Sequence, residues 1–108
     1  MKPLGPIPPG FETIDGELAI GGRKASELAT EAGGTPLFVY SAGLIRHRVA
    51  LLRAAMPDQL RLHYAVKANP FRPVLALLLG LTDGFDIASL GELEMVLAAG
   101  QDLSLIHI

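Results

Sequence analysis

Apolar and polar positions change their spacing several times along the chain, and each change marks an element. Residues 1–16 are rich in proline and glycine and are expected to be extended or mobile. Glu17 to Ile20 reads as a short strand closed by Gly21-Gly22. Lys24 to Ala32 has helical composition, with Leu28, Ala29 and Ala32 on one face and Gly33 as a stop. Leu37-Phe38-Val39-Tyr40 is a compact apolar run after Thr35-Pro36 and reads as a strand. Ser41 then offers an N-cap to a helix with Ile45, Val49, Leu52 and Met56 on one stripe, ended by Pro57. Arg61 to Lys67 reads as the next strand, and Pro73 opens a helix at its first turn. Gly84 to Ala88 reads as a further strand, and Glu92 to Ala99 as a helix stopped by Gly100. The ending Leu103 to Ile108 admits two readings: the start of a third strand of this series, or foreign sequence joined to a truncated reading frame.

Strand and helix alternate with short connections, which argues for a parallel sheet covered by helices. No Gly-x-Gly-x-x-Gly fingerprint and no phosphate-binding P-loop follows any of these strands, which counts against an open nucleotide-binding sheet. Periodicity by itself leaves a closed barrel and an open sheet undecided.

Composition narrows the classes of function. The chain has 108 residues, half of them apolar, so core material is plentiful. A net charge of −2 with scattered signs gives no basic footprint for nucleic acid. The absence of cysteine excludes a disulfide scaffold and a thiolate metal site, and fits a cytoplasmic protein. The start lacks an apolar core of signal-peptide length, and Val74 to Leu79 is too short to span a bilayer, so a soluble protein is expected. His47 and His107 show no ligand spacing, and no metal is expected. Arg46, Arg48 and Arg53 are expected on the solvated side of the first long helix.

Side-chain alternation selects candidates for chemistry. If Arg61 to Lys67 is one strand, Leu62, Tyr64 and Val66 form the apolar face, and His63, Ala65 and Lys67 share the other. A lysine at the C-terminal end of an inward strand face is unusual, because lysine is almost never buried without a partner. Ala65 beside it leaves space for a planar ring. By the same alternation Asp86 and Ala88 share one face, and Phe85 and Ile87 the other. Ser89 and Glu92 have the spacing of a capping box, which explains the glutamate without catalysis. Asn69 is expected to cap the turn after Lys67.

Tyr64-Ala65-Val66-Lys67-Ala68-Asn69-Pro70, followed at one helix's distance by Gly84-Phe85-Asp86-Ile87-Ala88-Ser89, resembles the alanine-racemase-like, fold type III family of pyridoxal-phosphate enzymes. Its amino-acid decarboxylases of the diaminopimelate type are most similar, over about Leu37 to Gly100. The N-terminal residues, Pro3-Leu4-Gly5-Pro6 through Gly22, also look like the exosortase-associated decarboxylase subgroup. The resemblance implies a (β/α)₈ barrel, which needs roughly 250 residues. The chain is therefore expected to be an N-terminal fragment, catalytically silent by itself. Residues 1–34 would be an extension on the side of a β-domain, and 35–108 the first βα units of an incomplete barrel.

For the site, the resemblance implies pyridoxal 5'-phosphate as cofactor and Lys67 as the amine that condenses with its aldehyde. It places Asp86 beside that lysine, as a second catalytic candidate. Ala65, His63 and Glu92 complete the set of cofactor-binding candidates. Racemases resembling this chain carry Tyr-Gly-His after the Lys-Ala-Asn, whereas Pro70-Phe71-Arg72 stands here in the decarboxylase style. The implied reaction is decarboxylation of a small amino or diamino acid, by a homodimer when full length. The alternatives are an amino-acid racemase of the same fold, or a pyridoxal-phosphate-binding or regulatory homologue without catalysis.

Overall fold

A computed structural model describes residues 5–107; Met1 to Leu4 and Ile108 lie outside the described residues, and with them part of the proline-rich start and the last residue of the ending. The described residues fall into two compact units, one running to Ile45 and the other from Arg46.

The first unit is built on an antiparallel meander of β1 (Glu12–Ile14), β2 (Glu17–Ile20) and β3 (Arg23–Lys24). Two-residue turns make it possible. Asp15 and Gly16 have φ of 52° and 79°, and Gly21 and Gly22 have 60° and 79°. Positive φ at both turn positions matches the twist of the flanking strands. β2 was expected; β1 was not, because its residues lie inside a stretch read only as extended or mobile. The Asp15-Gly16 pair was the overlooked hairpin signal. Ala19 is fully buried in this unit. Lys24 pairs with Asp15 at 2.7 Å, and Arg23 with Glu31.

Helix α1 (Ala25–Glu31) starts without a side-chain cap from its own N-cap residue. Glu17 of β2 takes that role from a distance: its Oε1 accepts the Ser26 N–H at 2.9 Å. Hydrogen bonding from Ser26 accordingly holds the Glu17 carboxyl below the usual carboxylate range. Gly33 at φ 88° ends the helix, and Gly34 N–H reaches back to the Ala29 carbonyl at 2.8 Å.

The expected strand Leu37 to Tyr40 is not formed. A strand exists through its ladder, and no strand among the described residues pairs with this segment. Its side chains are exposed or half-exposed, Phe38 to 84%. Helix α2 (Ala42–Ala55) follows as expected, with Ser41 Oγ accepting the Leu44 N–H at 3.2 Å. Its stripe of Ile45, Val49, Leu52 and Met56 is half-buried or, at Leu52, exposed.

The second unit carries a parallel sheet in the order β4 (His63–Ala65), β5 (Gly84–Asp86), β6 (Ile106–His107). Helix α3 (Arg72–Leu79) connects β4 to β5, and α4 (Leu90–Ala99) connects β5 to β6. The two helices pack on each other. Pro73 sits in the first turn of α3, where its missing N–H has no cost. Gly100 at φ 108° closes α4 in the left-handed conformation that glycine favours. The core consists of Val66, Val74, Leu75, Leu78, Phe85, Ile87 and Val96. Of the ending, Leu103–Leu105 forms a 3₁₀ turn and Ile106–His107 the third parallel strand.

One anchor went unread in the sequence. Arg53, expected on the solvated face, instead reaches from α2 to the loop before β5. Its Nη1 lies 2.7 Å from Asp83 Oδ2, and its Nη2 donates to the Leu81 carbonyl at 3.1 Å. Asp83 Oδ2 also accepts the Leu62 N–H at 2.6 Å, while Asp83 N–H donates to the Leu62 carbonyl at 2.7 Å. The Arg53 guanidinium and the Leu62 amide hold the Asp83 carboxyl at about 2, well below the usual 3.8. A lowered folded-state value means a stabilising contribution that is complete above the unfolded value and lost as pH falls toward the folded one. Wild type and Asp83→Asn should therefore differ by a constant urea midpoint above about pH 4, wild type being the more stable. The difference should shrink between pH 4 and 2, and a pH-independent difference would contradict the anchor.

Candidate functional site

The site grows from the register of the parallel sheet. Ala65 lies opposite Asp86 and Asp86 opposite His107, while Tyr64 lies opposite Phe85 and Phe85 opposite Ile106. Residues opposite each other in adjacent strands point the same way, so the sheet has two unlike faces. One holds Tyr64, Phe85 and Ile106 and is packed: Phe85 is fully buried, and its ring meets that of Tyr64 edge-on at 6.0 Å. The other holds His63, Ala65, Gly84, Asp86 and His107 and is polar. The alternation read from the sequence is thus correct for His63, Ala65 and Asp86.

It does not extend to Lys67. The strand expected to run from Arg61 to Lys67 is confined to His63–Ala65, and a 3₁₀ turn over Val66–Ala68 follows. The Asn69 N–H closes this turn on the Val66 carbonyl at 3.1 Å, with Val66 fully buried beneath. The turn keeps Val66 buried and closes a hydrogen bond of its own in place of two further residues of pairing. Lys67 therefore stands exposed in the turn, immediately past the C-terminal end of β4. The segment behind it is held on both sides. Tyr64 Oη donates to the Asn69 carbonyl at 3.0 Å, and Asn69 Oδ1 accepts the Phe71 N–H at 3.0 Å. Asn69 thus caps the turn as expected.

The structure brings His63 and Asp86 together, with Nδ1 of the imidazole 3.5 Å from Oδ1 of the carboxylate. His107 of β6 approaches the same Oδ1 at 3.4 Å. It does not pair Asp86 with Lys67, whose Nζ has no hydrogen bond or ion pair among the described residues. Glu92 is engaged elsewhere: its N–H donates to Ser89 Oγ at 3.1 Å, and its Oε1 accepts the Ala88 N–H at 2.8 Å. That is the capping arrangement, reaching one residue further back than usual. Sequence reasoning missed His107 as a neighbour of Asp86, because the contact depends on register between strands and on no spacing along the chain.

The polar face offers a methyl-sized side chain and a carboxylate, and a primary amine stands in the turn past the end of β4. The model of the family "Pyridoxal-dependent decarboxylase, pyridoxal binding domain" matches residues 42–108. The chain belongs to this family. A diaminopimelate decarboxylase from Aquifex aeolicus is 48% identical over 101 residues, covering 93% of this chain and 23% of the relative. A lysine/ornithine decarboxylase from Selenomonas ruminantium is 38% identical over 68 residues, covering 63% of this chain and 17% of the relative. A crystal structure of an Aquifex aeolicus protein superposes with a TM-score of 0.79 at 44% identity, over 91% of this chain and 24% of that one. The chain spans less than a quarter of the length of these proteins.

Pyridoxal phosphate is the cofactor the family implies. The residues present fit it: Lys67 offers an amine without a competing ion pair among the described residues, and Ala65 between His63 and the lysine turn adds only a methyl group. No helix among the described residues is long and apolar enough to cross a membrane.

Proposed function

We propose that this chain supplies the lysine-bearing wall of a pyridoxal-phosphate site, and that a protein of the relatives' length carrying it decarboxylates a small diamino acid. The observation that carries the reading is Lys67, held in a braced turn at the C-terminal end of a parallel strand, beside a strand that presents Asp86. Diaminopimelate and lysine/ornithine decarboxylases among the relatives support the substrate class. Residues 35–108 would form the first βα units of a (β/α)₈ barrel, and 1–34 an extension on the side of a β-domain. The parallel β4–β5–β6 order and the likeness to the Aquifex aeolicus structure support that arrangement. We place the whole protein in the cytoplasm, as a homodimer.

When bound, pyridoxal phosphate supplies an aldehyde for condensation with amines and a ring that takes up the electron pair left by departing carbon dioxide. Lys67 Nζ would hold the aldehyde carbon and carry the proton that accompanies exchange with the substrate amine. Ala65 keeps the space beside the turn open. The Asp86 carboxylate provides the negative charge that a protonated nitrogen at this position requires. Glu92 fixes the start of α4, and with it the loop that leaves Asp86.

The test is an amino-acid panel read both by carbon dioxide release and by chiral chromatography. Release of carbon dioxide from a diamino acid is expected, following Pro70-Phe71-Arg72 after the lysine motif. Inversion at the α-carbon without release would establish the racemase alternative, and saturable cofactor binding without either reaction the non-catalytic one.

A further inference from the structure

Resting on that cofactor reading, we infer that His63 is the positioning residue for Asp86: its imidazole holds one carboxylate oxygen so that the other is presented to a cationic group. Both imidazole contacts of Asp86 fall on Oδ1, at 3.5 Å from His63 and 3.4 Å from His107. Oδ2 has no partner among the described residues. The two histidines are not equivalent. The side chain of His107 is 73% exposed, that of His63 only 31%. The His63 ring is seated by the backbone of the neighbouring strand. A Cβ at Gly84 would meet the Leu105 carbonyl oxygen first and would also stand 2.9 Å from the ring's Cε1 and 3.1 Å from its Nδ1, so glycine serves the approach of the next strand and leaves room for the ring as well. His107 lies across it edge-on at 6.5 Å.

The bare Cα of Gly84 and the position of His63 four residues before Lys67 therefore act together. One strand carries both the amine, past its end, and the group that orients the carboxylate of the next strand. The charged and titratable groups in contact with the imidazole among the described residues are Asp86 of β5 and His107 of β6. At 3.5 Å the pair is a charge contact; a neutral His63 with its proton on Nδ1 would donate to Oδ1 on closer approach, and a protonated one would add charge to the same contact. A direct contact of His63 with the cofactor is the competing assignment.

The two assignments separate in a double-mutant cycle on pyridoxal-phosphate affinity, measured by absorbance titration of the full-length apoprotein carrying this chain. His63→Leu should weaken binding about tenfold, the scale of one hydrogen bond to a charged group. His63→Asn, which keeps a donor near the place of Nδ1, should retain affinity within about threefold. His63→Leu combined with Asp86→Asn should bind no more than about twofold more weakly than Asp86→Asn alone. In ¹⁵N-histidine spectra of the same protein, neutral His63 should carry its proton on Nδ1, and Asp86→Ala should move it toward Nε2.

Additive losses in the cycle, equal losses for the leucine and asparagine variants, or an Nε2 proton in the wild type would each overturn the role of His63. Borohydride reduction separates this failure from failure of the cofactor reading. A pyridoxyl label on Lys67 with an additive cycle removes only the positioning role. Absence of a label from every lysine of this chain removes the site itself.

Discussion

Lys67→Ala should lower turnover of the full-length protein by on the order of a thousandfold or more, the scale of losing a covalent nucleophile. The fold should survive, because Lys67 is exposed and has no partner among the described residues. The chain itself contains the controls for this assignment. Its lysines are Lys2, Lys24 and Lys67. Lys24 belongs to β3 of the antiparallel meander and is paired with Asp15 at 2.7 Å. Among the described lysines, only Lys67 follows a parallel strand. Borohydride reduction in the presence of pyridoxal phosphate, with peptide mass mapping, should place the label on Lys67, and Lys67→Ala should lose it. Added small primary amines should restore part of the rate in Lys67→Ala, since the missing chemistry is that of an amine. A label on another lysine with Lys67 unmodified would withdraw the residue from the site.

How far the sequence was legible follows from which forces are local. Turn and cap chemistry acts within a few residues: Ser41, Pro73, Ser89 with Glu92, and Gly100 all do in the structure what their types predict. Alternation within β4 and β5 was legible for the same reason, and it placed His63, Ala65 and Asp86 on one face. Pairing between distant segments was not. Leu37 to Tyr40 has the composition of a buried strand, but no strand among the described residues completes a ladder with it. Arg53 was indistinguishable from Arg46 and Arg48 along the helix, yet only Arg53 meets Asp83, thirty residues away. The end of β4 was misjudged because a 3₁₀ turn and a strand bury Val66 equally well, and only the Asn69 amide decides between them.

Phe85→Ala should be the most damaging core substitution in the second unit. Phe85 is fully buried at the centre of the middle strand, with β4 paired on one side and β6 on the other. Its ring meets Tyr64 edge-on, an arrangement that adds to the burial of area. Truncation removes the ring's transfer energy and leaves a cavity, at a cost of about 3–5 kcal/mol. Whole domains are stable by only about 5–15 kcal/mol, so a large share of the folded population is at stake. Phe85→Leu, which keeps part of the volume, should lose clearly less. The two faces of β5 are coupled through its backbone: the residue that anchors the strand precedes the one that presents the carboxylate. Loosening at Phe85 should therefore appear in amide exchange of Ile87, whose N–H donates to the His107 carbonyl at 2.9 Å. Urea unfolding of the protein carrying this chain measures the loss, and amide exchange locates it. A cost below about 1 kcal/mol, the level of an ordinary surface change, would mean that β5 does not form the centre of the core described here.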